Sequence, residues 1–129
     1  MKHILPADWV RPKGYSNGLV AEGKMFFLAG VIGWNAQEEF ESDDLLAQFR
    51  QALLNICAIL KAGGSGPEDI TRMTWYVTDM EGYRSQLAKF GAIYKEIIGK
   101  NFPVMACVGV SALVERRAKI EIEVTAMIV

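Results

Sequence analysis

Carboxylates, two thiols and one imidazole are the groups in this sequence whose chemistry could drive a reaction. Glu121 and Glu123 alternate with apolar residues in the run Ile120-Glu121-Ile122-Glu123-Val124. Acids spaced by two share one face of a strand; of this pair, Glu121 could take a proton from water and return it, as a general base does. By residue type alone, each is equally a solvated strand residue or an ion-pair partner of Lys119 or an arginine. The thiols are Cys57 and Cys107. A cysteine nucleophile needs a neighbouring base or cation to form its thiolate, and His3 is the only histidine. Cys107 therefore reads first as a packing residue, and Cys57 as a small core residue on a helix. Neither has metal or redox spacing, and one His with two separated Cys does not supply a zinc set. No metal or cofactor is expected.

These groups sit in 129 residues, a length that suits a single domain over 1–129. The composition, 51% hydrophobic and 22% charged, is globular and slightly rich in apolar residues. A formal charge of −1 gives no electrostatic case for nucleic acid; the adjacent Arg116 and Arg117 read as a solvated turn. No run of about 18 apolar residues stands out as a membrane span. Lys2 and His3 lead into Pro6, Asp8 and Trp9 rather than a signal-peptide core. A cytoplasmic protein is expected.

The spacing predicts the elements. Residues 17–31 read as a hairpin, Leu19-Val20-Ala21 turning at Glu22-Gly23 into Met25-Phe26-Phe27-Leu28-Ala29. A polar loop follows over about 33–41. Ser42 or Asp43 can cap a helix to about Ala62, with Leu45, Leu46, Phe49, Leu53, Ile56 and Leu60 on one stripe and Gly63-Gly64 as the stop. Residues 70–78 are β-branched and aromatic, a strand. Asp79 caps a second helix with the stripe Tyr83, Leu87, Phe90, Tyr94 and Ile97, ended by Gly99 and Pro103. Strands follow over about 104–111 and 118–128. This order predicts an α+β, two-layer sandwich: an approximately six-stranded mixed sheet with two helices on one face. In the last strand Ile120, Ile122, Val124, Ala126 and Ile128 share one face, opposite Glu121, Glu123, Thr125 and Met127. The strand at 25–29 is apolar on both faces. A two-layer domain covers only one face, so the other is expected to meet a second subunit.

Several short blocks then occur in a familiar order. They are Gly14-Tyr15-Ser16, Phe27-Leu28-Ala29-Gly30-Val31-Ile32, Gln48 to Gly63 ending Leu60-Lys61-Ala62-Gly63, Asp69-Ile70 with Tyr76-Val77-Thr78-Asp79-Met80, Phe102-Pro103, and Lys119 to Glu123. Together, over about 110 positions, the chain resembles the Rid/YjgF family of imine deaminases, also called L-PSP endoribonuclease-like. The resemblance implies a chorismate-mutase-like fold, a homotrimer with sheets packed into a central barrel, and three clefts between neighbouring subunits.

The resemblance also assigns roles. Glu121 matches the glutamate that orients the attacking water, Cys107 the family's frequent cysteine, and Tyr15 the tyrosine lining the pocket. Ala29, Gly30 and Val31 occupy the family's S-G-Q stretch, so a serine is missing. Trp34 either covers the cleft or packs on the surface. The family's carboxylate-binding arginine falls at Met105, beside Ala106, and an asparagine of the second helix falls at Ala88. Methionine offers neither charge nor donor, so small 2-imino acids lose their clamp. Three functions follow: an enamine or imine hydrolase with altered specificity, a non-catalytic trimer that binds a small molecule, and, least supported by this charge balance, an endoribonuclease.

Overall fold

Strict alternation in the last strand sets the centre of the molecule. In the computed structural model, which describes Met1–Val129 throughout, β7 (Ile120–Ile128) buries Ile120, Ile122, Val124 and Ala126 almost completely. Glu121, Thr125 and Met127 are half-buried and Glu123 is exposed on its other face. This strand pairs antiparallel with β5 (Ile70–Val77) on one side, and with β3 (Lys24–Phe27) and β4 (Val31–Ile32) on the other. Beyond β5 lies β6 (Val104–Gly109), parallel to it and forming one edge. The expected mixed sheet thus has five strands. A separate two-stranded ribbon is made by β1 (Lys2–Ile4) and β2 (Gly18–Val20).

That ribbon corrects one expectation. The residues on either side of Glu22-Gly23 do not form a hairpin: β2 pairs with β1, and β3 with β7. Gly23 has φ of 146°, and a β-carbon there would stand 2.3 Å from the Ile128 carbonyl oxygen. It hands the chain from the ribbon to the sheet, a corner only glycine fits.

Helix α1 (Leu45–Ala62) lies on the buried face of the sheet, with Phe49, Ala52, Leu53, Ile56 and Leu60 fully enclosed. Each large side chain among them contributes about 1.5–3 kcal/mol by leaving water. By length and composition α1 could cross a bilayer, but this apolar stripe packs on the sheet. Its cap is Asp44, whose carboxylate accepts from the Ala47 N–H at 3.0 Å. Of the two residues expected there, Ser42 accepts from the Asp44 N–H and Asp43 pairs with Arg117 at 2.8 Å.

The second helix is two. Asp79 caps α2 (Met80–Arg84) through the Gly82 N–H, and after a break at Ser85-Gln86 the chain resumes as α3 (Leu87–Ile97). The break rotates the face, so Leu87 is 54% exposed and leaves the expected stripe, while Phe90 and Tyr94 remain buried. Arg50 of α1 grips Glu96 of α3 through both guanidinium nitrogens, at 2.6 and 2.8 Å.

One polar side chain is buried in the whole molecule: Gln48. Its Nε2 donates to the carbonyls of Ser42 and Arg117, and its Oε1 accepts from the Lys119 N–H at 2.7 Å. It ties the start of α1 to the approach of β7 and fixes where that strand begins.

Candidate functional site

The two faces of the sheet separate the expected site residues into distinct groups. Glu121 faces away from the helices, and its carboxylate lies over Gly30. A β-carbon at position 30 would stand 2.6 Å from Glu121 Oε2, closer than carbon and oxygen can approach. Ala29 and Gly30 are both exposed, between the segment where β3 leaves β7 and the point where Val31 rejoins it opposite Ile122. The exposed backbone of Ala29-Gly30 and a carboxylate therefore share one patch, which the buried Val31 anchors from the core side. The register puts Tyr76 opposite Glu121, and Tyr76 Oη donates to Glu123 Oε1 at 3.4 Å. Partial burial first, and then the Glu123 carboxylate, hold the Tyr76 phenol above its ordinary value. From sequence alone neither Tyr76 nor Glu123 has a part in the site; the register of β5 on β7 is what brings Tyr76 to the Glu121 face.

Met105 and Cys107 belong to the opposite face. They align with Met73 and Trp75 of β5, which are buried beneath the helices, and both pack half-buried against that core. Burial pushes the Cys107 thiol up, so it is a thiol rather than a thiolate at neutral pH. Trp75 meets Tyr83 edge-on at 6.2 Å between ring centroids. Ala106, between Met105 and Cys107, is exposed on the Glu121 face opposite Thr74. Within one chain, then, Glu121 and Cys107 are not brought together. Arg72 aligns with Val104 and so falls on the Glu121 face, not on that of Met105. Ala88 is exposed on α3.

Tyr15 sits in a third place, docked on the lead into β6. The Ser16 N–H donates to the Pro103 carbonyl at 3.1 Å and Ser16 Oγ to that of Phe102. That wall is held from behind by the buried Tyr94, whose hydroxyl donates to the Asn101 carbonyl at 2.6 Å and whose ring stacks on Phe102. Tyr15 lines a cleft of about 500 Å³ with the ribbon and with residues 100–103. Trp34 occupies a fourth. It packs on Phe40 at 5.8 Å, beside an open hollow edged by Arg116 and Arg117. Arg117 stacks on Phe40 as well as pairing with Asp43. Asn55 holds the Trp34 backbone, its Nδ2 donating to the carbonyls of Ile32 and Trp34.

No three His, Cys, Asp or Glu side chains converge as a metal site would require. The arrangement offers a carboxylate beside open backbone on one sheet face, and a neutral thiol with a thioether on the other.

A two-layer α+β domain with an exposed, carboxylate-bearing sheet face is the class of protein this describes. The sequence of the endoribonuclease L-PSP family matches residues 10–128. A RutC family protein of Pyrococcus horikoshii is 34% identical over 90% of this chain and 89% of its own. The 2-iminobutanoate/2-iminopropanoate deaminase of Escherichia coli is 34% identical over 81% of this chain and 80% of its own. Among solved structures, the Rid-family protein YyfB of Yersinia pestis superposes with a TM-score of 0.86 at 31% identity, covering 98% of each chain. The chain belongs to the Rid family, as its sequence blocks imply.

Proposed function

We propose that the protein is an imine or enamine deaminase of the Rid type whose substrate is not held through an arginine at position 105. The observation that carries this reading is the Glu121 carboxylate over the exposed backbone of Gly30. There it can take a proton from water as the oxygen adds to the imine carbon. That proton passes to nitrogen to give the carbinolamine, and Glu121 then carries the hydroxyl proton to the amine as the C–N bond breaks, which releases ammonia and leaves a carbonyl. Backbone N–H groups around the site can hold the polar end of the substrate.

The working unit in this reading is a homotrimer with its clefts between subunits. Support comes from the sheet face away from the helices, where Met25, Phe27 and Val108 are 57%, 66% and 41% exposed. Apolar side chains in that number on one face need a cover. The separation of Glu121 from Cys107 and Met105 supports it as well, because a cleft between copies can join one chain's carboxylate to a neighbour's β6.

Met105 sets the specificity. A charge-assisted contact to a carboxylate contributes about 1.5–3 kcal/mol, or roughly ten- to a hundredfold in rate. Small 2-imino acids are therefore expected to be poor substrates. A second reading, a trimer that binds a small molecule without turnover, is favoured by Met105 packing inward against the core and by Ala29 in place of a serine. Ribonuclease action, suggested by the family's description, is the least supported, because a chain of formal charge −1 makes a poor phosphate binder.

The test generates 2-aminoacrylate and 2-iminobutanoate in situ with an amino-acid dehydratase and follows their hydrolysis. The native protein should accelerate it weakly and Met105→Arg more strongly. Strong native activity would overturn the specificity argument, and inactivity of both proteins would favour the binding reading.

A further inference from the structure

The cleft that holds Tyr15 carries chemistry the deaminase reading does not use. His3 Nδ1 lies 2.7 Å from Ser16 Oγ, and Ser16 Oγ in turn faces the Phe102 carbonyl. A carbonyl has no proton to give, so the serine donates to it. The hydroxyl has only one proton, so the imidazole must supply the other, from Nδ1. Neutral His3 is thereby fixed in the tautomer that leaves Nε2 bare, an acceptor with no partner in the protein. A histidine oriented by a second side chain, with its other nitrogen free, is the arrangement of a positioned acceptor.

The same cleft is lined by Arg11 and Lys100, from loops far apart in sequence. Neither enters an ion pair: the three in the molecule are Arg50–Glu96, Arg84–Glu81 and Arg117–Asp43. The one acid in the lining, Glu68, folds back over Gly66. Two unpaired cations thus face a hollow of about 500 Å³, in a chain whose formal charge is −1. Its apolar wall includes Leu5, Leu19, Ile70 and Phe102. The volume suits a small metabolite.

We infer that this cleft is a binding site for a small organic acid that carries an O–H or N–H donor beside its carboxylate. Arg11 and Lys100 take the carboxylate, His3 Nε2 accepts from the adjacent hydroxyl or amine, and the apolar wall takes the side chain. The inference stands apart from the imine chemistry at Glu121. It depends on no residue of that patch.

His3 is the only histidine, so its imidazole C–H signals in an NMR spectrum identify themselves. They should shift saturably with L-lactate, with a dissociation constant on the order of millimolar. Calorimetry should show propionate, which lacks the hydroxyl, binding several-fold more weakly. The Arg11→Gln/Lys100→Gln variant should weaken lactate by about tenfold or more. His3→Gln should bring lactate down to the level of propionate. Both cations and His3 are exposed, so these changes leave the fold intact, which an unchanged Tm will verify. The inference is overturned by a flat lactate titration, by an unaltered affinity in the double variant, or by equal binding of lactate and propionate to the native protein.

Discussion

The Glu121 carboxylate fills the space that a methyl group on Gly30 would need, since a β-carbon there would stand 2.6 Å from Glu121 Oε2. Gly30→Ala must therefore swing Glu121 away from its place while leaving the buried face of β7 untouched. Imine hydrolysis should fall at least about tenfold, in the direction of the loss from Glu121→Gln, where general-base catalysis is removed. The thermal midpoint should barely move. Rate and Tm measured on both variants check this; equal rates for Gly30→Ala and native protein would detach the contact from function.

Gln48 is the molecule's one enclosed polar side chain, and every polar atom of its amide is paired. Gln48→Leu keeps much of the volume but strands the carbonyls of Ser42 and Arg117 and the N–H of Lys119. The expected loss is about 2–4 kcal/mol, read from urea unfolding as a lower midpoint at unchanged slope.

Asn55 plays a similar part at smaller scale for the loop bearing Trp34. Removing its amide with Asn55→Leu frees the carbonyls of Ile32 and Trp34. Amide exchange across residues 33–41 should quicken, and global stability should drop by about 1–2 kcal/mol. Unchanged exchange would show that the Trp34–Phe40 contact suffices.

Both thiols are raised by burial. At pH 8 they should react with iodoacetamide far more slowly in the folded protein than in urea. The sign for stability follows. The unfolded chain loses its thiol protons first, so the stabilisation is complete below the ordinary thiol value. It is lost as pH rises above about 8.5 and through the higher folded values. Unfolding midpoints measured from pH 7 to pH 10 should fall over that interval, and less so in a Cys57→Ala/Cys107→Ala protein.

The residues that alternate were legible before any coordinates. Ile120 to Ile128 and the aromatic, β-branched run at 70–77 announced two central strands, and Leu45 to Leu60 announced the helix above them, because each pattern is local. What failed was pairing and phase. Leu19 to Ala29 had the look of a hairpin, yet the partner of β3 is nearly the whole chain away, and nothing at Glu22-Gly23 encodes that. Ser42 and Asp43 are the caps the sequence suggests, yet the cap is Asp44, because Asp43 pairs with the distant Arg117 and Ser42 turns back to the Asp44 N–H. Tyr83 and Leu87 share a helical stripe on paper, but the break at Ser85-Gln86 undoes it. For the candidate site, family likeness is what singled out Glu121 and Gly30 as expected site residues, while residue type gave no hint that Met105 and Cys107 face the other way. His3 gave no local signal either, since its significance comes from Ser16, thirteen positions on.

β7 has a further consequence, for the order of events in folding. It is the strand to which β3, β4 and β5 are all hydrogen-bonded, and it follows every one of them in sequence, with Lys24 opposite Ile128. Until it arrives, β5 and β6 can zip together, but β3 and β4 have nothing to pair with, and Phe27 and Met25 stay in water. Such long-range closure places the chain among slow folders, on the millisecond-to-second scale. A nascent or truncated chain lacking residues 120–128 is left as a set of open, apolar strand edges, the form that chaperones hold and that aggregates recruit.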